Sequence, residues 1–350
     1  MSANPSQVLI VSCCQGMGWG AEEVLEHYLR AGGCVSIAAP ASSRFSSLSA
    51  ELGFPFTPLD IKKNKFISHV ASGLKVRIEP SPSLVHSWCA RSVETAWILS
   101  KRYGAQLSVG LHDSPDQEYH SAARGFIIKK ICRQAASVVT VSEAMAKKCL
   151  NLGLSDDIHV IRNGIPVKPP VARRQNKSVF TVGFLGMNVA RKGFRTLIDW
   201  IDRSDWLWRL YGDVAPELDK EVNTLLDRHN GRLHICGRVN SSLAYSEVDV
   251  VVIPSLTFEA FGLVAVEAGR AGLPVVASEI GGLKEIIFNG ENGFLYPVSD
   301  PEAGFNALLQ LSNNFELRKI MGDRGRAIFE HHFTSERMKK DWDSYLGLQL

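Results

Sequence analysis

Residues 258–278 read FEAFGLVAVEAGRAGLPVVAS, and they decide how the rest of the chain is understood. Two carboxylates, Glu259 and Glu267, stand eight positions apart in an otherwise apolar segment. The run before it, VDVVVIPS (248–255), has the composition of a buried strand, and PVVAS (274–278) reads as the next one. Between them the pattern predicts a helix beginning near Phe261 or Gly262. A helix start exposes unpaired N–H groups and a partial positive charge, which suits phosphate. At a rise of ~1.5 Å per residue, eight positions span up to roughly 12 Å. Carboxylates accept hydrogen bonds from hydroxyls and repel phosphate. One acid can therefore grip a hexose and the other a ribose, with backbone amides holding phosphates between them. By itself the segment is equally compatible with a first-turn acid favoured by the helix dipole and an exposed helical glutamate.

Outward from this segment, short apolar strands alternate with amphipathic helices, the signature of parallel α/β domains. VLIVSCC (8–14), CVSIAAP (34–40), SLVHSW (83–88), AQLSVGLHD (105–113), SVVTVS (137–142) and IHVIRNG (158–164) read as strands. A polar, proline-bearing stretch, PVKPPVARRQNKS (166–178), reads as a linker. The pattern then restarts with VFTVGFLG (179–186), WLWRLYG (206–212) and LHICG (233–237). In DPEAGFNALLQL (300–311), Asp300 is a cap, Pro301 fits the first helical position, and Glu302 suits the N-terminal dipole. Two doubly wound α/β domains with a cleft between them are expected. Ligands in such sheets bind beyond the carboxyl ends of the strands.

Composition narrows the class. The 350 residues, 45% apolar and 21% charged, match a globular protein of two domains. Seven cysteines without a Cys-x-x-Cys pair argue against a disulfide framework or zinc knuckle and suit a reducing, cytoplasmic setting. The opening MSANPSQVLIVSCCQ lacks a basic n-region, so no signal peptide is expected, and no apolar run approaches a membrane span. Residues 1–168 carry 18 Lys/Arg against 13 Asp/Glu, and residues 169–350 carry 21 against 23. A basic first half suggests an anionic surface or substrate; the excess is too small and scattered for nucleic acid.

Two further loops bear on the chemistry. In GMNVARKGFRTLIDW (186–200), Arg191, Lys192 and Arg195 cluster at a helix start, where cations oppose the dipole unless an anion binds there. In SEIGGLKEIIFNGENG (278–293), Gly281 and Gly282 would let backbone approach a ligand closely. Together these segments resemble the retaining GT-B-fold glycosyltransferases of family four, also called the group 1 glycosyl transferases. The resemblance is carried by PSLTFEAFGLVAVEAGRAGLPVVAS (254–278), then GGLKE, NGENGFLYPVSD, HVIRNGI and VVTVSEAM in the family's order, and it covers nearly the whole chain.

The resemblance implies two Rossmann-like domains facing a central cleft, 1–166 on the acceptor side and 175–334 on the donor side. The C-terminal helix within 335–350 would pack back on the first. It also implies transfer of a hexosyl-type sugar from a nucleotide-diphosphate sugar to an acceptor hydroxyl, with retention and without a metal or other cofactor. Glu259 should touch the donor sugar, Glu267 the ribose, and the amides of Phe261, Gly262 and Leu263 the phosphates. Lys192 would neutralise the leaving diphosphate, and His112 in VGLHDSPD would face the donor sugar. Gly16, Gly18 and Gly20 of GMGWG would approach the diphosphate, and Arg238 and Val239 of ICGRVN the base. One departure stands out: the family's usual arginine after Gly186 is Met187 here, with Arg191 as the replacement charge. That departure keeps alive a second reading, a weakly active or inactive protein that binds nucleotide or a partner. A remote third, an NAD(P)-dependent enzyme using GMGWG and Arg44, lacks both the Gly-x-Gly-x-x-Gly spacing and a ribose acid.

Smaller signals are read blandly. Asp341 and Asp343 form an Asp-x-Asp pair expected on a solvated helix surface, His86 reads as a core histidine, and Asn163-Gly164 as a turn. In RGFIIKKICRQAA (124–136), Ile127, Ile128, Ile131, Cys132 and Ala135 share one helical face opposite Lys129, Lys130 and Arg133. A core-packed helix with a wet basic face is expected. The alternative is a helix resting on anionic lipid, which would make the protein peripheral on the cytoplasmic face of a membrane.

Overall fold

A computed structural model of the chain describes residues 7–13, 20–61, 66–113, 122–169, 179–186 and 190–348. The chain divides into two compact units, residues 1–166 with 334–350, and residues 167–333.

The first unit is built on β1 (Val8–Val11), β2 (Ser36–Pro40), β3 (Phe56–Leu59), β4 (Leu84–Ser87), β5 (Gln106–Leu111), β6 (Ser137–Thr140) and β7 (Ile158–Val160). All pair in parallel, in the order β3-β2-β1-β4-β5-β6-β7. β1 is Val-Leu-Ile-Val and wholly buried, as a strand covered by helices on both faces must be. The helices Gly20–Arg30, Val93–Tyr103, Ala122–Cys132 and Glu143–Asn151 cross between strands. In Ala122–Cys132, Ile128, Ile131 and Cys132 are buried, whereas Phe126 is 70% exposed and Lys130 lies on the surface. Arg124 is drawn inward to Glu94, which is 1% exposed, at 2.7 Å. Ala135 falls beyond the end of this helix.

The helix Ser335–Leu346 completes the first unit. Ile165 bridges to Thr334, and the Ser335 amide donates to the Ile165 carbonyl at 3.0 Å. A Cβ on Gly164 would lie 2.2 Å from the Thr334 carbonyl oxygen, so Asn163-Gly164 is the close approach that admits this segment, beyond a simple turn. Trp342 packs on Trp88 with ring centroids 4.9 Å apart and planes tilted by 34°, and meets His86 edge-on at 5.0 Å. His86 is fully buried, its Nδ1 2.8 Å from the Ser108 hydroxyl, and burial drives its pKa down to about 3. Tyr345 lies 2.5 Å from both Ser108 and Ser137.

Asp343 corrects the expectation of a solvated pair. Its carboxylate is 3% exposed, accepts from the Tyr28 hydroxyl at 2.9 Å, and pairs with the Lys339 ammonium. Burial, and then Asp343 itself, raise the Tyr28 pKa, as expected for a phenol that donates to a buried anion. Periodicity alone does not separate the two, which flank Trp342 symmetrically on the helix. Asp343 is on the side that meets Tyr28, whereas Asp341 pairs with Arg337 nearer the surface.

The second unit repeats the architecture with β8 (Thr181–Leu185), β9 (Leu207–Tyr211), β10 (Leu233–Gly237), β11 (Val250–Ile253), β12 (Val275–Ser278) and β13 (Gly293–Tyr296). These are again parallel, ordered β10-β9-β8-β11-β12-β13. Its core gathers Trp200, Trp208, Phe194 and Leu197 around the valines of β11 and β12. The helix Pro301–Asn313 starts where the Asp300 carboxylate accepts from the Ala303 amide at 3.1 Å. No helix among the described residues is long and apolar enough to cross a membrane.

Asp343→Ala is expected to lower stability by about 2–4 kcal/mol, because Tyr28 and Lys339 lose a buried charged partner. Asp341→Ala, which takes a 45% exposed partner from an Arg337 that is 25% exposed, should cost less, about 1 kcal/mol. Urea unfolding of the two variants checks the contrast.

Candidate active site

In the second sheet the strand order reverses between β8 and β11, which are paired neighbours. Loops leaving adjacent strands at such a reversal diverge to opposite faces and leave a crevice at the carboxyl ends. Glu259, Arg191 and Lys192 fall on these two loops, and Glu267 lies on the helix that follows the second.

After β8, residues Ala190–Lys192 form a single 3₁₀ turn closed by Gly193 at φ 82°. A Cβ on Gly193 would lie 1.8 Å from the Pro254 carbonyl oxygen, so glycine is required for the turn to lie against the exit of β11. The Leu256 amide then donates to the Arg191 carbonyl at 2.9 Å. This seam brings the Lys192 ammonium to 2.6 Å from Glu259 Oε2, and the Ser255 hydroxyl donates to the same oxygen at 3.2 Å. Lys192 and Glu259 are 23% and 20% exposed, a partly desolvated pair open to one side. Arg191 is exposed beside them. Met187 lies outside the described residues.

The Gly281-Gly282 pair also packs closely on the chain itself. Gly281 has φ 51°, and a Cβ there would lie 2.0 Å from the Glu259 carbonyl oxygen; one on Gly282 would lie 2.8 Å from that of Ala260. The Gly282 amide donates to the Glu259 carbonyl at 2.8 Å. The glycines pack backbone against backbone and fix the height of the Glu259 loop.

The helix runs Leu263–Ala271, one or two residues later than the pattern predicts, with Gly262 at φ 116° preceding it. The Leu283 side chain fills the space a Gly262 Cβ would need. Phe261 is 4% exposed and meets Phe333 edge-on at 5.9 Å, so it serves the core by its ring and a ligand only by its backbone. Glu267 lies one turn into the helix, half-buried, and accepts from the Tyr245 hydroxyl at 2.7 Å. A freely solvated helical glutamate is thereby ruled out. After β10, Arg238 pairs with Asp213 at 2.5 Å with both side chains more than half exposed, and Val239 is 39% exposed. Ser255 and Tyr245 are contacts that sequence reasoning did not identify. Tyr245 sits 22 residues from its partner on another helix, and no local pattern announces such a meeting.

The remaining expected residues belong to the first unit. His112 follows β5 directly, its ring 4.9 Å from that of Trp88. Burial pushes its pKa down to about 4 against a smaller opposing effect of Asp113, so near neutral pH it presents a neutral imidazole. Its Nδ1 is buried and has no hydrogen-bond partner among the described residues. Gly20 opens the helix Gly20–Arg30, whereas Gly16 and Gly18 lie outside the described residues.

Family comparison agrees with both halves. Residues 15–168 match the model described as Glycosyltransferase Family 4, and residues 177–314 match the one described as Glycosyl transferases group 1. The chain belongs to the group 1 glycosyltransferases. An uncharacterized glycosyltransferase of Methanocaldococcus jannaschii is 30% identical over 233 residues, 65% of this chain and 64% of that protein. Glycogen synthase of Mycobacterium tuberculosis is 27% identical over 285 residues, 75% of this chain and 66% of its own. The chain thus spans no more than about two thirds of the length of these curated relatives. Among solved structures, Anabaena HepE in complex with UDP and glucose superposes with a TM-score of 0.80 at 20% identity, covering 97% of this chain and 99% of that one. Sucrose-phosphate synthase from Thermosynechococcus elongatus gives 0.80 at 20% identity, covering 97% of each. At such identities the likeness establishes the fold of this glycosyltransferase, two Rossmann-like α/β units of the GT-B class.

Gly281→Ala should lower stability by about 2 kcal/mol or more and donor turnover by at least about tenfold, since its Cβ displaces the Glu259 backbone. Gly290, at φ 83° with open space around its Cβ, provides the control. Gly290→Ala should cost about 1 kcal/mol and leave turnover unchanged. Thermal unfolding and a donor-turnover assay separate the two.

Proposed function

We propose that this protein transfers a hexosyl-type sugar from a nucleotide-diphosphate sugar to an acceptor hydroxyl, with retention at the anomeric carbon and without a metal. The observation that carries the reading is the Lys192–Glu259 pair at the mouth of the helix Leu263–Ala271, with Glu267 held one turn further on. That HepE was crystallised in complex with UDP-glucose supports a nucleotide sugar as the donor class.

The residues divide the work by charge. As the bond between sugar and diphosphate lengthens, negative charge grows on the diphosphate and oxocarbenium character on the sugar. The Lys192 ammonium has three N–H donors and gives one to Glu259; the others are available to phosphate oxygens. Amides of the helix start, Gly262 and Leu263, add fixed dipoles of the same sense. Glu259 would accept from sugar hydroxyls and oppose the developing positive charge, while Glu267 would accept from the ribose. His112, a neutral imidazole, would hydrogen-bond a sugar without adding charge. The acceptor hydroxyl would attack the face from which the diphosphate departs. A saccharide, lipid-linked molecule or small molecule in the synthesis of a glycan, glycolipid or cell-envelope polysaccharide is the acceptor class this chemistry serves.

A membrane role rests on the helix Ala122–Cys132. Phe126 at 70% exposure beside Lys130 and Arg133 is an arrangement suited to anionic lipid. Sedimentation with vesicles containing phosphatidylglycerol, compared with neutral vesicles, should show a preference that Phe126→Ser weakens. Equal partitioning to both vesicles would remove the membrane role and leave the transferase reading intact.

A thermal-shift panel of nucleoside diphosphates, followed by their sugars, identifies the donor. Glu259→Ala should reduce kcat by about 100-fold or more while changing nucleoside diphosphate affinity little. Glu267→Ala should weaken that affinity by about 10- to 100-fold with a smaller loss in kcat. Equal losses of both quantities in both variants would refute the division of roles. Inversion at the anomeric carbon, read by NMR, would refute retention, and abolition of transfer by EDTA would refute metal independence.

A further inference from the structure

The assignment of Glu267 to the ribose has a structural corollary in Tyr245. This residue sits on the short helix Ser241–Ser246, whose start is fixed where the Asn240 side-chain oxygen accepts from the Ser242 amide at 2.9 Å. The Tyr245 ring is 2% exposed, and its hydroxyl emerges against the first turn of Leu263–Ala271. There it lies 2.7 Å from Glu267 Oε2 and 3.4 Å from the Val264 carbonyl oxygen. A phenol carries one proton, and the shorter bond to a carboxylate takes it.

A glutamate side chain turns about three bonds, and an unanchored one loses that freedom only when ligand arrives. Holding one carboxylate oxygen from a rigid, buried ring sets the plane of the group beforehand. A vicinal diol offers two O–H donors to such a carboxylate, and an anchored one cannot swing to compensate when one hydroxyl is missing. We infer that Tyr245 is the positioning residue that aims Glu267 at both ribose hydroxyls, and so sets the preference for ribonucleotide over 2′-deoxyribonucleotide donors. This rests on the reading of Glu267 as the ribose-binding acid.

Tyr245→Phe removes the hydroxyl and leaves the ring, so the core is kept. Calorimetric titration of UDP, ADP and GDP against their 2′-deoxy counterparts tests the inference without requiring turnover. The parent chain should bind its preferred ribonucleotide at least about tenfold more tightly than the deoxy form. Tyr245→Phe should weaken the ribonucleotide by roughly tenfold and the deoxy form by under about twofold, collapsing the ratio, as should Glu267→Gln. Near-native thermal unfolding of Tyr245→Phe would show that the fold is retained. If Tyr245→Phe weakens both forms equally, or neither, the inference is overturned while the Glu267 assignment stands. If the parent chain shows no ribose preference, or Glu267→Gln keeps it, both fall together.

Discussion

The candidate site turns on one partly desolvated ion pair, Lys192 with Glu259. Charges at this depth lose hydration, and the loss is offset only when a partner is held at contact. Here contact is enforced through the main chain. Gly193 lets one loop rest on the Pro254 carbonyl, and Gly281-Gly282 let a third loop rest on the carbonyls of Glu259 and Ala260. Three strand-exit loops are thus stacked backbone on backbone at these glycines. A pair held this way is set for a ligand that can share the ammonium.

Glutamates on the two sides of the helix start are held in different ways. Glu259 is secured by a cation and a hydroxyl, Glu267 by a phenol. The difference fits their neighbours. Glu259 sits beside an ammonium that screens its charge, whereas the phenol on Glu267 orients that carboxylate without neutralising it. The first unit has its own buried polar chemistry. Asp343 with Tyr28 ties the last helix to the helix Gly20–Arg30, and Tyr345 with Ser108 and Ser137 ties it to the sheet of that unit, where His86 meets Ser108.

Much was legible because it is local. Alternating apolar runs marked the strands, Asp300-Pro301 marked a helix start, and the spacing of Glu259 and Glu267 placed both acids about a helix mouth. The misreadings also have a common cause. Asp343 was expected on a solvated helix surface with Asp341, yet the residue that governs it, Tyr28, is 315 positions away. The contact that Gly281-Gly282 makes within the fold, with the chain's own Glu259 loop, was equally beyond local reach. Tyr245 and Ser255 carry no local mark, since a tyrosine or serine near a strand is ordinary until its partner is placed.

Periodicity and residue chemistry by themselves determined that this protein is a pair of parallel α/β units and which charged groups gather near the carboxyl ends of the second set of strands. Those properties depend on near neighbours along the chain, where spacing of three, four or two residues sets the face a side chain occupies. Tertiary structure alone decided which of those groups meet, which carboxylate is buried, and which carbonyl each glycine must clear. Contacts of that kind join residues tens to hundreds of positions apart and follow from strand order, which becomes available only once the sheets have assembled.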